Sequence, residues 1–169
     1  MAGPLIITAE LGKVDFAWAD GLRKQHFPPE RNQVPAHLTL FHALPPSVED
    51  EVRRALRRVA GEHAPPQATL SGLMSLGGGV AFRVHTPELD AIRNELAEAF
   101  HGLLSAQDSG GWAPHITIQN KVTSSVARDL MTSLQRGFAP RPLAIRGVLL
   151  SRYHGGPWEQ LGGFRFRGA

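Results

Sequence analysis

The chain has 169 residues, of which 42% are apolar and 20% charged, a composition typical of globular domains and not of disordered or fibrous proteins. It contains no cysteine, which excludes disulfides, thiolate nucleophiles and zinc–thiolate sites. The formal charge of +3 permits an anionic partner without requiring one.

Two further features bear on location and partners. The N-terminal segment MAGPLIITAELGK lacks the basic start and long apolar run of a signal peptide, and no segment reaches the ~20 apolar residues of a membrane span. We therefore expect a cytoplasmic, monomeric protein without a membrane partner. The basic run RRALRR at 53–58 is interpreted as a solvated helix face, with nucleic-acid contact as the alternative.

The first half of the chain predicts, in order, a buried strand, a helix, an alternating strand, a second helix and a hairpin. The hairpin turn is the glycine run 77–79, and the segment HFPPERNQVP is too rich in turn residues for regular structure. The predicted ranges are 5–8, 13–25, 36–44, 45–63, and 67–76 paired with 80–86.

The second half begins with a predicted helix at 87–104, which has Pro87 in its first turn and one apolar face. A flexible connection, SAQDSGGWAP, follows it. The remaining elements are a strand, a helix and two hairpin strands, with predicted ranges 115–122, 124–135, 141–154 and 159–167.

Strands outnumber helices in this order and end in hairpins, which indicates an α+β fold rather than a doubly wound α/β fold. A motif strand, a helix and a hairpin occur at 36–86 and again at 114–167. We interpret residues 1–169 as one domain with two lobes, each presenting one motif across a shared cleft.

The repeated motif is the clearest chemical signal in the sequence. PAHLTLF at 35–41 is nearly repeated as APHITIQ at 113–119. In a strand, residues two apart point to the same face, so His37 projects with Thr39 and His115 with Thr117. The intervening apolar residues point into a core.

Two imidazoles and two hydroxyls that converge in one cleft suit acid–base chemistry on a phosphodiester. One imidazole can deprotonate a nucleophile while the other protonates the leaving oxygen. The hydroxyls can donate hydrogen bonds to the two non-bridging oxygens, and the reaction requires no metal or other cofactor.

HLTL and HITI, about eighty residues apart in a small α+β chain, resemble the paired motifs of the 2H phosphoesterase superfamily, and most closely its bacterial 2′-5′ RNA ligase and cyclic phosphodiesterase group. The resemblance covers most of the chain, through the terminal segment YHGGPWEQLGGFRF. It implies a bilobal fold with pseudo-twofold symmetry, in which two antiparallel-rich sheets face a central cleft and helices lie outside.

The resemblance also implies a function, namely the opening of 2′,3′-cyclic phosphates on RNA ends or nucleotides to 2′-phosphates, with 2′-5′ ligation as a related activity. His37 would protonate the departing 3′ oxygen, His115 would activate water, and Thr39 and Thr117 would hold the phosphate. The acid and base labels can be exchanged, because the geometry is nearly symmetric and the chemistry reversible.

Other residues are candidates for substrate binding. Phe41 shares the predicted face of His37, and Lys121 shares that of His115 if the strand runs so far, so that Lys121 could meet the phosphate charge. Tyr153 and Trp158, together with Trp112, lie in glycine-rich segments near the motif strands and could stack on a base. Core packing or solvent exposure is the alternative for each.

Strict alternation sends His42 to the opposite face from His37, as a core or interface histidine. No metal site is expected, since neither H-x-x-x-H nor a carboxylate cluster accompanies the motifs. Two other functions stay open: a binding module for RNA ends or nucleotides without catalysis, and the same chemistry on a small cyclic-phosphate metabolite.

Overall fold

The computed structural model describes residues 2–169, which form fifteen short elements, and the predicted strands and helices occur among them in the predicted order. The strands are β1 (Leu5–Leu11), β2 (Thr39–Leu44), β3 (Thr69–Ser75), β4 (Val80–His85), β5 (His115–Gln119), β6 (Arg141–Pro142), β7 (Ile145–Arg152) and β8 (Glu159–Arg165). The helices are α1 (Lys13–His26), α2 (Glu49–Glu62), α3 (Pro87–Ala99), α4 (Ala106–Ser109) and α5 (Ser124–Gly137), with 3₁₀ turns at Pro29–Arg31 and Pro46–Val48.

The strands form two four-stranded sheets, in which every pairing is antiparallel. The strand order is β2-β1-β7-β8 in the first sheet and β5-β4-β3-β6 in the second. Helix α2 packs on β7 and β8, α1 on β5, and α5 on β3 and β4. The predicted α+β class with two antiparallel sheets and outer helices is therefore confirmed.

Each motif strand is the edge of its sheet, and the two sheets do not coincide with the two repeats. The hairpin β3–β4 of the first repeat pairs with β5, the motif strand of the second. The hairpin β7–β8 of the second repeat lies in the sheet of β2, the first motif strand. Because each sheet contains strands from both repeats, the two halves of the chain share one apolar core, which contains residues from both sheets.

The two sheets meet where the motif strands approach each other. Leu38 and Ile116 form an isolated antiparallel bridge, and both side chains have 0% exposure. The apolar residue between His and Thr in one motif thus lies against its counterpart in the other. This contact fixes the separation and register of the two motifs.

Several details differ from the predictions: the strand predicted at 36–44 begins at Thr39, and the strand predicted at 141–154 divides into β6 and β7. The segment 105–114 is not wholly irregular, because α4 forms within it. Strand β5 ends at Gln119, so Lys121 lies beyond it, with a φ of 66° in the left-handed region. The pairing of β1 with β2 is irregular between Thr39 and Phe41 and again between Phe41 and Leu44, and each irregularity places an extra residue in β2.

Within residues 2–169, none of the helices has the length and apolar character that crossing a bilayer demands.

We expect Leu38→Ala and Ile116→Ala each to lower the free energy of unfolding by ~2–5 kcal/mol, because each leaves a cavity where the sheets join. Urea denaturation measures the loss, and the double variant should depart from additivity because the two residues are paired. Val14→Ala, at a position that is 79% exposed, is the control and should change stability little. If each single variant loses as little free energy of unfolding as the control, and the double variant loses only their sum, the bridge does not hold the sheets together.

Candidate active site

The bridge between the motif strands brings four polar side chains to one surface. In an antiparallel pair centred on Leu38 and Ile116, His37 lies across from Thr117 and Thr39 across from His115. Because the bridge residues point into the core, their neighbours point the other way. All four polar residues line one cavity of about 340 Å³. The cleft predicted from the motifs is present.

Both motif histidines hold the same tautomer through the same local contact. His37 Nδ1 lies 2.9 Å from the Pro35 carbonyl oxygen, and His115 Nδ1 lies 2.8 Å from that of Ala113. A carbonyl only accepts hydrogen bonds, so Nδ1 carries the proton in each ring. Nε2 is then the nitrogen available for proton transfer in both motifs.

The backbone of each motif threonine is anchored by a side chain from outside the motif. Trp112 Nε1–H donates to the Thr39 carbonyl at 2.9 Å, and Arg23 Nη1–H donates to the Thr117 carbonyl at 3.0 Å. Arg23 is itself buried, and its Nε–H donates to Asn32 at 2.8 Å. These contacts fix the strands while leaving the hydroxyls free to face the cavity.

Trp158 closes the end of the cleft beside His37. The two rings lie 4.7 Å apart between centroids, at an interplanar angle of 56°. A second cavity of about 620 Å³ also contains His37 and Trp158 in its wall and extends over the exposed face of the β1–β7–β8 sheet. The two cavities therefore meet at this pair of rings.

The electrostatic environment distinguishes His37. Burial lowers its pKa from 6.5 to about 4, the contact with the Pro35 carbonyl opposes this shift, and the positive charge of Arg23 reinforces it. The ring is therefore neutral at pH 7 in the unliganded protein. An anionic phosphodiester bound beside it would raise its pKa.

The prediction for His42 is wrong. The ring lines the cleft, and its side chain is 38% exposed. The physical reason is the irregular pairing of β2, because an extra residue reverses the alternation of faces beyond it. Leu40 and Phe41 are consecutive buried residues as a result, and His42 returns to the face of Thr39.

Three of the predicted substrate-binding residues lie outside the cleft. Phe41 is completely buried and packs edge-on against Phe100 at 5.5 Å, so it presents no surface to a ligand. Lys121 sits in the turn after β5, where alternation no longer applies, and it is exposed away from both cavities. Tyr153 is 44% exposed at the end of β7 and lines neither cavity.

Two cleft residues gave no signal in the sequence. Asp108 belongs to α4, within a segment predicted to be irregular, and its carboxylate bonds to His42. Arg93 lies on the buried side of α3, and its Nε–H donates to the Leu40 carbonyl at 2.8 Å. Both are distant in sequence from the strand of the first motif, which they bond through tertiary contacts.

One group of side chains within residues 2–169 has the spacing of metal ligands. It consists of Glu62, His63 and Glu95, whose ligand atoms lie within 4.8 Å of one another. His63 Nε2 already bonds Glu95 at 2.8 Å, and Arg58 lies 4.0 Å from the same carboxylate. This cluster lies at the C-terminal end of α2 and on α3, outside the cavity of the two motifs.

Comparisons with known proteins identify the family and the fold of the chain. A family model described as the 2′-5′ RNA ligase superfamily matches residues 13–157. TT0787 of Thermus thermophilus superposes with a TM-score of 0.69 at 18% identity, covering 98% of both chains. E. coli LigT complexed with 3′-AMP (TM-score 0.59, 21% identity) and a structure described as a phosphoesterase (0.62, 21%) each cover 98% of this chain and 99% of their own. No curated protein matches the sequence.

We predict that His37 makes stability depend on pH. Its pKa is about 4 in the folded protein and near 6.5 when unfolded, so the unfolded state binds more protons between these values. The free energy of unfolding therefore falls as the pH is lowered from 6.5 to 4. His37→Gln should remove a slope of at most about 1.4 kcal/mol per pH unit, and less because the ring is partly exposed.

Urea denaturation at several pH values between 4 and 7 measures this slope. Burial also lowers the pKa of His26, so the relevant quantity is the difference between wild type and variant. His101→Gln, at an exposed position away from the cleft, is the matched control. Equal slopes for the His37 variant and wild type would show that His37 titrates normally.

Proposed function

Because the chain belongs to the 2′-5′ RNA ligase superfamily, we propose that it is a metal-independent phosphoesterase that opens 2′,3′-cyclic phosphodiesters on RNA ends or nucleotides to 2′-phosphates. The observation that carries this proposal is the convergence of His37, Thr39, His115 and Thr117 on one cavity, with both Nε2 atoms available. A structural neighbour, E. coli LigT, is described in complexes with 3′-AMP and with phosphate.

The proposed reaction uses each of the four groups once. His115 Nε2 takes a proton from water as the water oxygen bonds to phosphorus, and the bond from phosphorus to the 3′ oxygen breaks. His37 donates the proton that the departing 3′ oxygen requires. The hydroxyls of Thr39 and Thr117 bind the two non-bridging oxygens, whose charge grows at the transition state.

The low pKa of His37 is consistent with the acid role once substrate binds. The phosphodiester anion favours the protonated ring, and an acid of low pKa gives up its proton readily to the leaving oxygen. With the 5′-hydroxyl of a second RNA strand in place of water, the same step would form a 2′-5′ linkage. The two histidines would exchange roles in the reverse direction.

The two cavities suggest how a nucleotide lies. Phosphate occupies the smaller cavity between the motifs, and the nucleoside extends past Trp158 into the larger one. The larger cavity offers Phe16 for apolar contact and the basic side chain of Lys13, whereas Arg165 is paired with Glu10 in the same wall. Such a surface suits a base and a neighbouring phosphate better than a simple inorganic ester.

We expect the purified protein to convert 2′,3′-cyclic nucleotides to 2′-phosphates in the presence of EDTA, as followed by phosphorus NMR. His37→Ala and His115→Ala should each lower kcat/KM by ~10²–10⁴ because each removes a proton-transfer group. Thr39→Val and Thr117→Val, which keep the shape but lose the hydroxyl, should cost up to ~10²–10³. Full turnover in the His115→Ala variant would exclude this mechanism.

The identity of the reaction products distinguishes the proposed function from its alternatives. Formation of 3′-phosphates would mean that the other ester bond breaks. Tight binding of a 2′-nucleotide without turnover of any cyclic phosphate would favour the binding module.

We predict that Trp158→Ala raises the KM for cyclic nucleotides by roughly 5- to 150-fold, the value of one lost base-stacking contact. Tyr153→Ala is the matched control, because it removes an aromatic from the same hairpin that lies outside both cavities. Steady-state kinetics measure both variants. Equal KM values for the two variants would place the base elsewhere.

A further inference from the structure

A third histidine in the cleft has a partner that the two motif histidines lack. His42 Nδ1 lies 2.9 Å from a carboxylate oxygen of Asp108. The same carboxylate accepts the backbone N–H of His42 at 2.9 Å and that of Ala43 at 3.1 Å. The carboxylate oxygens already accept backbone N–H groups and act as acceptors towards the ring as well, so His42 Nδ1 carries the proton.

The contacts around Asp108 hold this pair in one orientation. The Asp108 side chain has 0% exposure, and the Ser105 hydroxyl caps its backbone N–H at 3.2 Å. Arg93 Nη2–H donates to the Asp108 backbone carbonyl at 3.0 Å while its Nε–H holds Leu40 of β2. The buried guanidinium of Arg93 thereby bonds both helix α4 and strand β2.

The backbone hydrogen bonds that Asp108 accepts do not explain why residue 42 is a histidine. The carboxylate already satisfies two backbone N–H groups of an edge strand, a role that any residue at 42 would permit. The ring adds Nε2, which has no hydrogen-bond partner among residues 2–169 and belongs to a side chain that lines the cleft. An imidazole with its proton fixed on Nδ1 presents a lone pair at Nε2.

The register of the motif strands places His42 at a definite end of the cleft. Trp158 packs against His37, which lies across from Thr117. Thr39 and His115 form the next row, and β2 then runs on to His42, which lines the same cavity. His42 therefore lies beyond His115, at the end opposite Trp158.

We propose that His42, oriented by Asp108, is a further catalytic residue whose Nε2 accepts a hydrogen bond from the attacking water. The inference rests on the proposed function, in which His115 is the base and the nucleoside lies on the His37 side. One hydrogen of the water then bonds His42 while the other passes to His115 Nε2. The oxygen bonds to phosphorus as the bond to the 3′ oxygen breaks, so no additional reactant is required.

Competition between two nucleophiles tests this role. In aqueous methanol, attack by water yields a nucleoside 2′-phosphate and attack by methanol yields a methyl 2′-phosphodiester, which phosphorus NMR distinguishes. Water can donate one hydrogen bond to His42 and still pass its other hydrogen to His115. Methanol has only one hydroxyl hydrogen and cannot do both, so His42 favours attack by water over attack by methanol. His42→Phe should lower kcat for hydrolysis about tenfold, the value of one hydrogen bond, and shift the product ratio towards the methyl ester with little change in KM.

Two further variants separate catalysis from folding. His42→Gln retains an acceptor oxygen and should restore part of the wild-type product ratio, and in both His42 variants Asp108 keeps its two backbone donors. Asp108→Asn removes the carboxylate that positions the ring and should shift the ratio as His42→Phe does. His101→Phe, an exposed histidine away from the cleft, is the control.

The product ratio does not depend on how much of a variant is folded, so it isolates the contact with the nucleophile. A ratio in His42→Phe equal to that of wild type, in a protein that hydrolyses cyclic nucleotides, would overturn the inference and leave the proposed function standing. Wild-type protein without turnover of any cyclic phosphate would overturn both.

Discussion

The antiparallel contact between Leu38 and Ile116 is the constraint on which the cleft depends. Both residues are fully buried, and each lies between the His and Thr of its motif. Burying this pair forces the four polar neighbours onto the opposite surface, because side chains in a strand alternate. One apolar contact in the core therefore sets the geometry of the proposed chemistry. The nearly symmetric register also explains why acid and base roles are exchangeable in principle.

The exchange of hairpins between the repeats gives this contact its rigidity. Each motif strand is an edge strand that pairs on its inner side with a strand from the other half of the chain or from the N-terminus. The outer backbone groups, which an edge leaves without sheet partners, are bonded by side chains instead. Trp112 and Arg23 bond the threonine carbonyls, and Asp108 bonds the N–H groups after the first motif. These anchors hold both edges without using the side chains that face the cavity.

The two halves of the cleft are not equivalent, although the motifs are nearly identical. Both motifs are followed by irregular pairing, but β5 ends at Gln119, whereas β2 runs on and turns His42 into the cleft beside a buried carboxylate. Of the two motif histidines, His37 is the one that packs against an aromatic ring, and its burial lowers its pKa to about 4. The tertiary environment thus separates two chemically identical rings, of which only His37 also lines the larger cavity.

The sequence by itself determined the order of elements, the α+β class and the four motif residues, because these follow from local periodicity and from a pattern stated twice. It could not determine the face of His42, since a single extra residue in β2 reverses alternation and depends on pairing with β1. It also could not place Lys121 or Tyr153, whose strands end before them, nor bring Asp108 and Arg93 to the cleft. Those positions result from contacts between segments far apart in the chain, which only the packed tertiary structure decides.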